Sequence, residues 1–530
     1  MIKLIVSRRE VTMNFLDNLK DEVNFTTTEN GAVALESTKN KVLDAFATLG
    51  SMKNASEEDI IKIFNSAFLE DQALAMRLLF YIRDIRGGQG MRRVFRVVVK
   101  FLANNYPQLV VKNLDNFLFF GRGDDVLCLL DTSIKDKVLK WIDLVIADDM
   151  NSLLEDGGQP SLLAKWLPSE NASSKETKRY GAMVRKAMKI SPKQYRKLLK
   201  TLRARINVVE TLMSRNKWEQ INFNKLPSRA AMIYSDAFMR HVQDNYVDYL
   251  QHLSVGRANI NAKALFPVDI IHKVLNKIWT PSLKDQYLLT ALWEALPNYF
   301  EEIEETGLCV VDVSGSMYGT PIEVAISLGM YCADKAKGPF KNHFITFSQN
   351  PKLVEIKGDN IFEKVRCMSK SDWGMNTNLE KVFDLILDTA VHNHMAQEDL
   401  PSKLYIISDM QFDAAQTIVR WVGNTKPKPF METMKLKYAD AGYTMPAIVY
   451  WNVRNSNCGM FQSTFEGENC AMVSGYSPSL FKAILDGTEF ETETIIKDGK
   501  EVKVEKQKLD PMNVMLTTLM NERYNRVITK

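Results

Sequence analysis

The segment that most constrains the fold is Gly307-Leu-Cys-Val-Val-Asp-Val-Ser-Gly-Ser-Met317, which joins a short apolar run to three oxygen-bearing side chains at alternating positions. Residues 308–311 read as a parallel strand buried on both faces, so Asp312, Ser314 and Ser316 fall in the loop leaving its carboxyl end. Such a loop is where an open α/β sheet builds its ligand site. One carboxylate and two hydroxyls suit a hard cation, Mg2+ or Mn2+, since Mg2+ takes oxygen ligands octahedrally and keeps several waters. The same residues also suit a helix N-cap, where Ser and Asp are common.

Two later segments bear on that choice. Trp373-Gly-Met-Asn-Thr-Asn378 opens the helical pattern of residues 379–387 and places Thr377 at a helix start. Lys403-Leu-Tyr-Ile-Ile-Ser-Asp-Met410 reads as another buried strand, and Asp409 brings a second carboxylate to the same sheet edge. With a threonine and an aspartate following in this order, the Asp-x-Ser-x-Ser pattern resembles the metal-ion-dependent adhesion site of von Willebrand factor A domains. The resemblance implies that Ser314, Ser316 and Thr377 touch the metal directly, while Asp312 and Asp409 hold it largely through water. Asp372 and Asp413 read as solvated loop charges.

Around these loops, strands are expected at 308–312, 344–348, 404–409, 447–452 and 471–474, separated by helices at 321–337, 378–389 and 479–485. That alternation implies a Rossmann-like, doubly wound, mostly parallel sheet with helices on both faces. A hairpin turning at Asp498-Gly499 follows, and Asp510-Pro511 opens a last helix with Asp at the N-cap and Pro at N1.

The preceding 300 residues carry a different pattern. Residues 26–40 are polar and read as irregular, after a stretch whose start at Met1 or Met13 is left open. From Ser56, which begins a capping-box-like Ser-Glu-Glu-Asp, apolar residues recur at helical spacing. Short helices joined by short turns imply either a HEAT-like α-solenoid or an ordinary bundle. The expected organisation is therefore multidomain, α plus α/β: an extension at 1–40, a helical region at 41–300, the metal-site domain at 306–488 and a hairpin with a helix at 489–530. At 530 residues the chain is long enough for two or more cores.

Composition narrows the setting. Hydrophobic residues make up 45% and charged residues 25%, as in an ordinary globular protein. No apolar run reaches the roughly 20 residues that span a bilayer, and the apolar stretch within residues 1–9 is too short for a signal peptide, so a cytoplasmic protein is expected. Six cysteines lack any Cys-x-x-Cys spacing and read as reduced core residues. His392 and His394 read as surface histidines.

Positive charge is local. Residues 161–217 hold 15 Lys or Arg against three acids, so a net +4 for the chain leaves −8 elsewhere. Within this segment Lys186, Lys189, Lys193, Arg196, Lys197, Lys200 and Arg203 alternate with apolar positions, as expected of helices that bury one face and offer phosphates the other. A second basic segment, residues 81–96, sets Arg83, Arg86, Arg92, Arg93 and Arg96 around Gly-Gly-Gln-Gly. It lacks the strand and the Lys-Ser/Thr of a P-loop, so it reads as a helix–turn–helix junction with arginines on its rim.

A helical half with basic turns followed by a von Willebrand A-like domain resembles the TROVE module of the Ro autoantigen and its bacterial relatives. Leu163-Ala-Lys-Trp-Leu-Pro168, Ser191-Pro-Lys-Gln-Tyr-Arg-Lys-Leu-Leu199, Asn207-Val-Val-Glu210 and Arg240-His241 resemble more closely an uncharacterised family of phages and cellular genomes with the same two-part layout. The Ro resemblance implies a ring that takes single-stranded RNA ends through its hole and structured RNA on its outer face, with the basic segments as the RNA surface. Two functions follow: a non-enzymatic RNA-binding scaffold, or a protein-interaction module in which a partner's acidic side chain completes the Mg2+ shell without RNA. No nucleophile–base pair or additional carboxylate cluster argues for a hydrolase.

Overall fold

The computed structural model describes residues 24–155, 158–206, 208–301, 307–348, 350–370, 378–413, 430–454, 460–497 and 500–530. Among the described residues, chain order opens with a short antiparallel hairpin, β1 (Phe25–Thr27) and β2 (Val33–Leu35). This corrects the irregular chain expected over 26–40. Two strands of three residues carry almost no period-2 signal, and an isolated hairpin is marginal in water. Its support is remote: Leu35 exchanges backbone hydrogen bonds of 2.8 and 3.0 Å with Phe461, and Gly31 bridges to Asp413.

Helices of very unequal length follow, from the four residues of Leu163–Trp166 to the 18 of Lys135–Ser152. Ser56 caps Glu57–Glu70 by accepting from the Asp59 amide, as its spacing to the acids indicated. Pro107 starts Pro107–Lys112 and does not merely end the helix before it. Residues 114–131 divide into helix Leu114–Phe120 and a 3-10 segment Gly123–Asp131, separated by Gly121 and Arg122.

The second half builds one six-stranded sheet from β3 (Leu308–Asp312), β4 (His343–Phe347), β5 (Leu353–Glu355), β6 (Lys403–Ser408), β7 (Ala447–Asn452) and β8 (Cys470–Ser474). Their order is β5-β4-β3-β6-β7-β8; every pairing is parallel except that of the edge strand β5 with β4. β3, β6 and β8 are buried at every position, which explains their unbroken apolar runs. β9 (Thr488–Lys497) and β10 (Lys500–Leu509) form the C-terminal hairpin, whose expected Asp498-Gly499 turn lies outside the described residues. Asp510 then caps Pro511–Leu519 through the Met512 and Asn513 amides.

The helical half and the sheet share a core. Helix Lys41–Leu49 packs on β8: the Gly50 amide donates to Ser474 Oγ at 3.0 Å, and that hydroxyl donates to the Phe46 carbonyl at 2.9 Å. A Cβ on Gly50 would lie 2.2 Å from the Ser474 carbonyl oxygen, so helix and strand could not keep this approach. Gly50→Ala is expected to destabilise the protein by about 1–3 kcal/mol, the usual cost of overpacking, read as a fall in Tm. The C-terminal tail also returns to the N-terminal helices, where Arg523 Nη2 meets Asp84 Oδ1 at 2.9 Å and the Ile528 amide donates to Asn113 at 3.0 Å. Among the described residues no helix is long and apolar enough to cross a membrane. The five described cysteines are free; Cys309, Cys332 and Cys470 are buried, while Cys128 and Cys367 are half-buried.

Candidate metal centre and basic surface

β3 delivers Asp312 to the carboxyl edge of the sheet with no solvent exposure. The chain turns at once: the Ser314 amide donates to Asp312 Oδ1 at 2.9 Å, and the 3-10 turn Gly315–Met317 brings Ser316 Oγ to 3.1 Å from Ser314 Oγ. Parallel β6 ends alongside. Its Ser408 hydroxyl donates to Asp312 Oδ2 at 2.6 Å and accepts from the Met410 amide at 3.1 Å. Ser408 is a residue that sequence reasoning missed. Its role follows from register, since pairing Val311 with Ile407 puts Asp312 level with Ser408.

Asp409 follows, 2% exposed. Its Oδ1 accepts from the Gln411 amide at 3.2 Å, whereas Oδ2 is buried without a hydrogen-bond partner. Asp409 also borders a cavity of about 20 Å3 with Gln462, whose Nε2 lacks a partner too, and that space fits one water. Ser348, just past β4, buries a further unpartnered hydroxyl at this edge of the sheet. Thr377 lies outside the described residues, as does Asp372; Asn378 caps helix Leu379–His392, so the helix start expected there is in place. Asp413 is half-buried in its bridge to Gly31, a correction to its reading as a solvated charge, whereas His392 and His394 are exposed as expected.

Burial, reinforced by the charge of Asp409, pushes the Asp312 carboxyl up to about 6. Burial raises Asp409 as well, opposed by the Ser316 hydroxyl, the Gln411 amide and the charge of Arg454. Two buried carboxylates that resist ionisation, one with an orphaned oxygen, beside two hydroxyls make a hard-oxygen donor set that fits Mg2+. Among the described residues no three His, Cys, Asp or Glu side chains gather, so hydroxyls and water would complete the shell.

A pH dependence follows. The folded Asp312 keeps its proton above the pH at which an unfolded aspartate, near 3.8, has lost it, so the native state binds more protons between the two values. In EDTA, stability is therefore expected to fall as pH rises from about 4 to about 6, by about 3 kcal/mol for the whole shift. Mg2+ is expected to offset that loss above pH 6. Melting curves at several pH values, with EDTA and with Mg2+, check both signs.

The rim of the site is built by distant chain. Thr28 Oγ1 donates to the Phe412 carbonyl at 2.7 Å, and the Glu29 amide to Gln411 Oε1 at 2.7 Å, so the N-terminal hairpin lies along the Asp409 loop. Tyr318, at the end of the Ser314 loop, is 89% exposed.

The basic residues divide into two kinds. Arg83 is 1% exposed and ion-paired to Asp125 at 2.6 Å, which corrects its expected place on the rim. Arg86 donates to the Phe119 carbonyl at 3.0 Å and Arg93 to the Ala55 carbonyl at 2.6 Å, though both side chains are exposed. Arg92 and Arg96 meet Asp124. Arg203 is likewise committed, donating to the Ala164 and Leu167 carbonyls at 3.0 and 2.7 Å. By contrast Lys186, Lys189, Lys193, Arg196, Lys197 and Lys200 are all exposed. Helix Pro192–Arg205 buries Tyr195, Leu199 and Leu202, while Lys193, Arg196, Lys197 and Lys200 recur at the three- and four-residue spacing of the opposite face.

Fold and site define a protein that joins a helical region to a mostly parallel sheet with paired carboxylates at the carboxyl edge of its strands. Residues 28–126 and 160–296 match a domain described as "Domain of unknown function (DUF2828)", and residues 306–519 one described as "Domain of unknown function (DUF7788)". The "Uncharacterized protein L728" of Acanthamoeba polyphaga mimivirus is 31% identical over 506 residues, covering 88% of this chain and 86% of the viral one. The chain belongs to the same family as that viral protein. The first match begins at residue 28, inside the β1–β2 hairpin, and the last ends within the Pro511–Leu519 helix.

Proposed function

We propose that the protein is a non-enzymatic RNA-binding scaffold with the layout of Ro ribonucleoproteins, stacked helices joined to a von Willebrand A-type domain that holds one Mg2+ or Mn2+. The observation that carries the RNA reading is the contrast between the two basic segments. Arg83, Arg86 and Arg93 are spent on a buried carboxylate and on internal carbonyls, whereas the six exposed cations from Lys186 to Lys200 have no carboxylate partner among the described residues. An unneutralised run of cations, four of them on one face of helix Pro192–Arg205, is what phosphates require. The cation reading rests on Asp312, Ser314, Ser316 and Asp409 converging at the sheet edge; the resemblance assigns the remaining direct ligand to Thr377, outside the described residues.

Exposed Tyr318 beside the cation loop favours a second reading, in which this edge takes a partner protein whose acidic side chain completes the shell. A salt-sensitive gel shift with structured and single-stranded RNA separates the two. Incubation with RNA, DNA and nucleotides in Mg2+ is expected to give no turnover. Cleavage that disappears in Ser314→Ala would instead make the cation site catalytic.

A further inference from the structure

The run Gly121-Arg-Gly-Asp-Asp125 meets helix Arg92–Asn105 in a knot of charge that does not balance. Asp125 is fully buried and fully used: Arg83 reaches it at 2.6 Å, Arg96 Nε at 2.8 Å and the Arg122 amide at 3.0 Å. A Cβ on Gly121 would lie 2.5 Å from that carboxylate, so only glycine admits it. Asp124 then serves Arg92 and Arg122 alone and shares Arg96 with Asp125. Arg96 Nη2 stands 3.0 Å away, Arg122 Nε 3.2 Å and Arg92 Nη1 3.4 Å.

Four guanidiniums thus face two carboxylates, an excess of two positive charges. The three on Asp124 are half-sheltered, their side chains 43%, 27% and 25% exposed for Arg92, Arg96 and Arg122. Arg96 Nη2, Arg122 Nε and Asp124 Oδ1 are all buried without a well-directed partner. Burial, with the Arg92 charge close by, holds Arg122 below its usual value. Like charges crowded out of water are costly unless an anion completes the set. The Met91 N-cap of helix Arg92–Asn105 supplies no side-chain acceptor, which leaves the positive end of the helix that carries Arg92 without a side-chain cap. Next to it, Arg122 lies 3.6 Å over the Trp166 ring, with Lys165 Nζ at 5.5 Å.

We propose that Arg92, Arg96 and Arg122, assembled on Asp124, form a binding site for the terminal phosphate of an RNA strand. Guanidinium forks match phosphate oxygens, and an excess of two charges matches a phosphomonoester near −2 better than an internal diester of −1. RNA is the source favoured by position, and here the inference rests on the RNA reading above. Helix Leu163–Trp166, which carries Trp166 and Lys165, is tied through Arg203 to the helix bearing the exposed cation row.

The test compares single-stranded RNAs of one sequence carrying a 5′-phosphate, a 3′-phosphate or neither, together with inorganic phosphate alone. A terminal phosphate is expected to tighten binding about tenfold, the scale of one charge-assisted hydrogen bond, and Arg92→Gln and Arg122→Gln are expected to abolish the preference. Inorganic phosphate is expected to raise the Tm of the wild type and not of Arg92→Gln, whose Tm in chloride stays at or above wild type because a like-charge contact is gone. Equal affinity for all three strands overturns the site while leaving the RNA reading intact. A phosphate effect lost in Arg92→Gln without any RNA binding overturns both the assignment to RNA and the RNA reading itself.

Discussion

Reversing Arg196, Lys197 and Lys200 to glutamate is expected to weaken RNA binding by roughly a hundredfold at about 0.1 M salt, taking three lost phosphate contacts, each releasing about 0.7 of a counterion from a single strand. The three side chains sit on one exposed face of Pro192–Arg205, and the buried anchors Tyr195, Leu199 and Leu202 point away from them. The fold should therefore tolerate the change. Because phosphate contacts position a strand without reading its bases, the loss is expected across sequences alike, and the slope of log affinity against log salt should flatten by about two. The Mg2+ response should survive. A folded triple variant with wild-type affinity and wild-type salt slope would leave the lysine face a solvated surface and favour the protein-interaction reading.

Asp312→Asn is expected to remove the Mg2+ stabilisation that the proposed cation site predicts for the wild type, about 2.7 kcal/mol at a hundred times the dissociation constant. The asparagine keeps the size of the side chain and can still accept from the Ser314 amide, so the effect is one of charge. Its sign reverses without the cation. The buried Asp312 carboxylate is costly at neutral pH, as its elevation to about 6 indicates, so the variant in EDTA at pH 7.5 should melt above the wild type. Melting curves of both proteins in EDTA and in Mg2+ decide the matter. An unchanged Mg2+ response in the variant would remove Asp312 from the cation site.

What could be read from the sequence was what short range determines. The strand Leu308–Asp312, its serine loop and the Asp409 strand were legible because a strand buried on both faces is an unbroken apolar run, and because loops at strand ends show their polar residues consecutively. Ser408 escaped notice because its role depends on register with a strand 96 residues away. The β1–β2 hairpin escaped for the same reason, being completed by Phe461 and Asp413. Charge counting had a different weakness: it counted cations and could not see their partners. Arg83 and Arg203 counted toward the basic surface, yet one is spent on Asp125 and the other on two carbonyls. The cations of the 186–200 row are exposed, with no carboxylate partner among the described residues.

The most direct test of the RNA-scaffold reading is a salt titration of wild-type protein against single-stranded and structured RNA. The expected result is binding whose logarithmic affinity falls linearly with the logarithm of salt, at about −0.7 per phosphate contact for single strands. Absence of binding at low salt, or an affinity indifferent to salt, would contradict it.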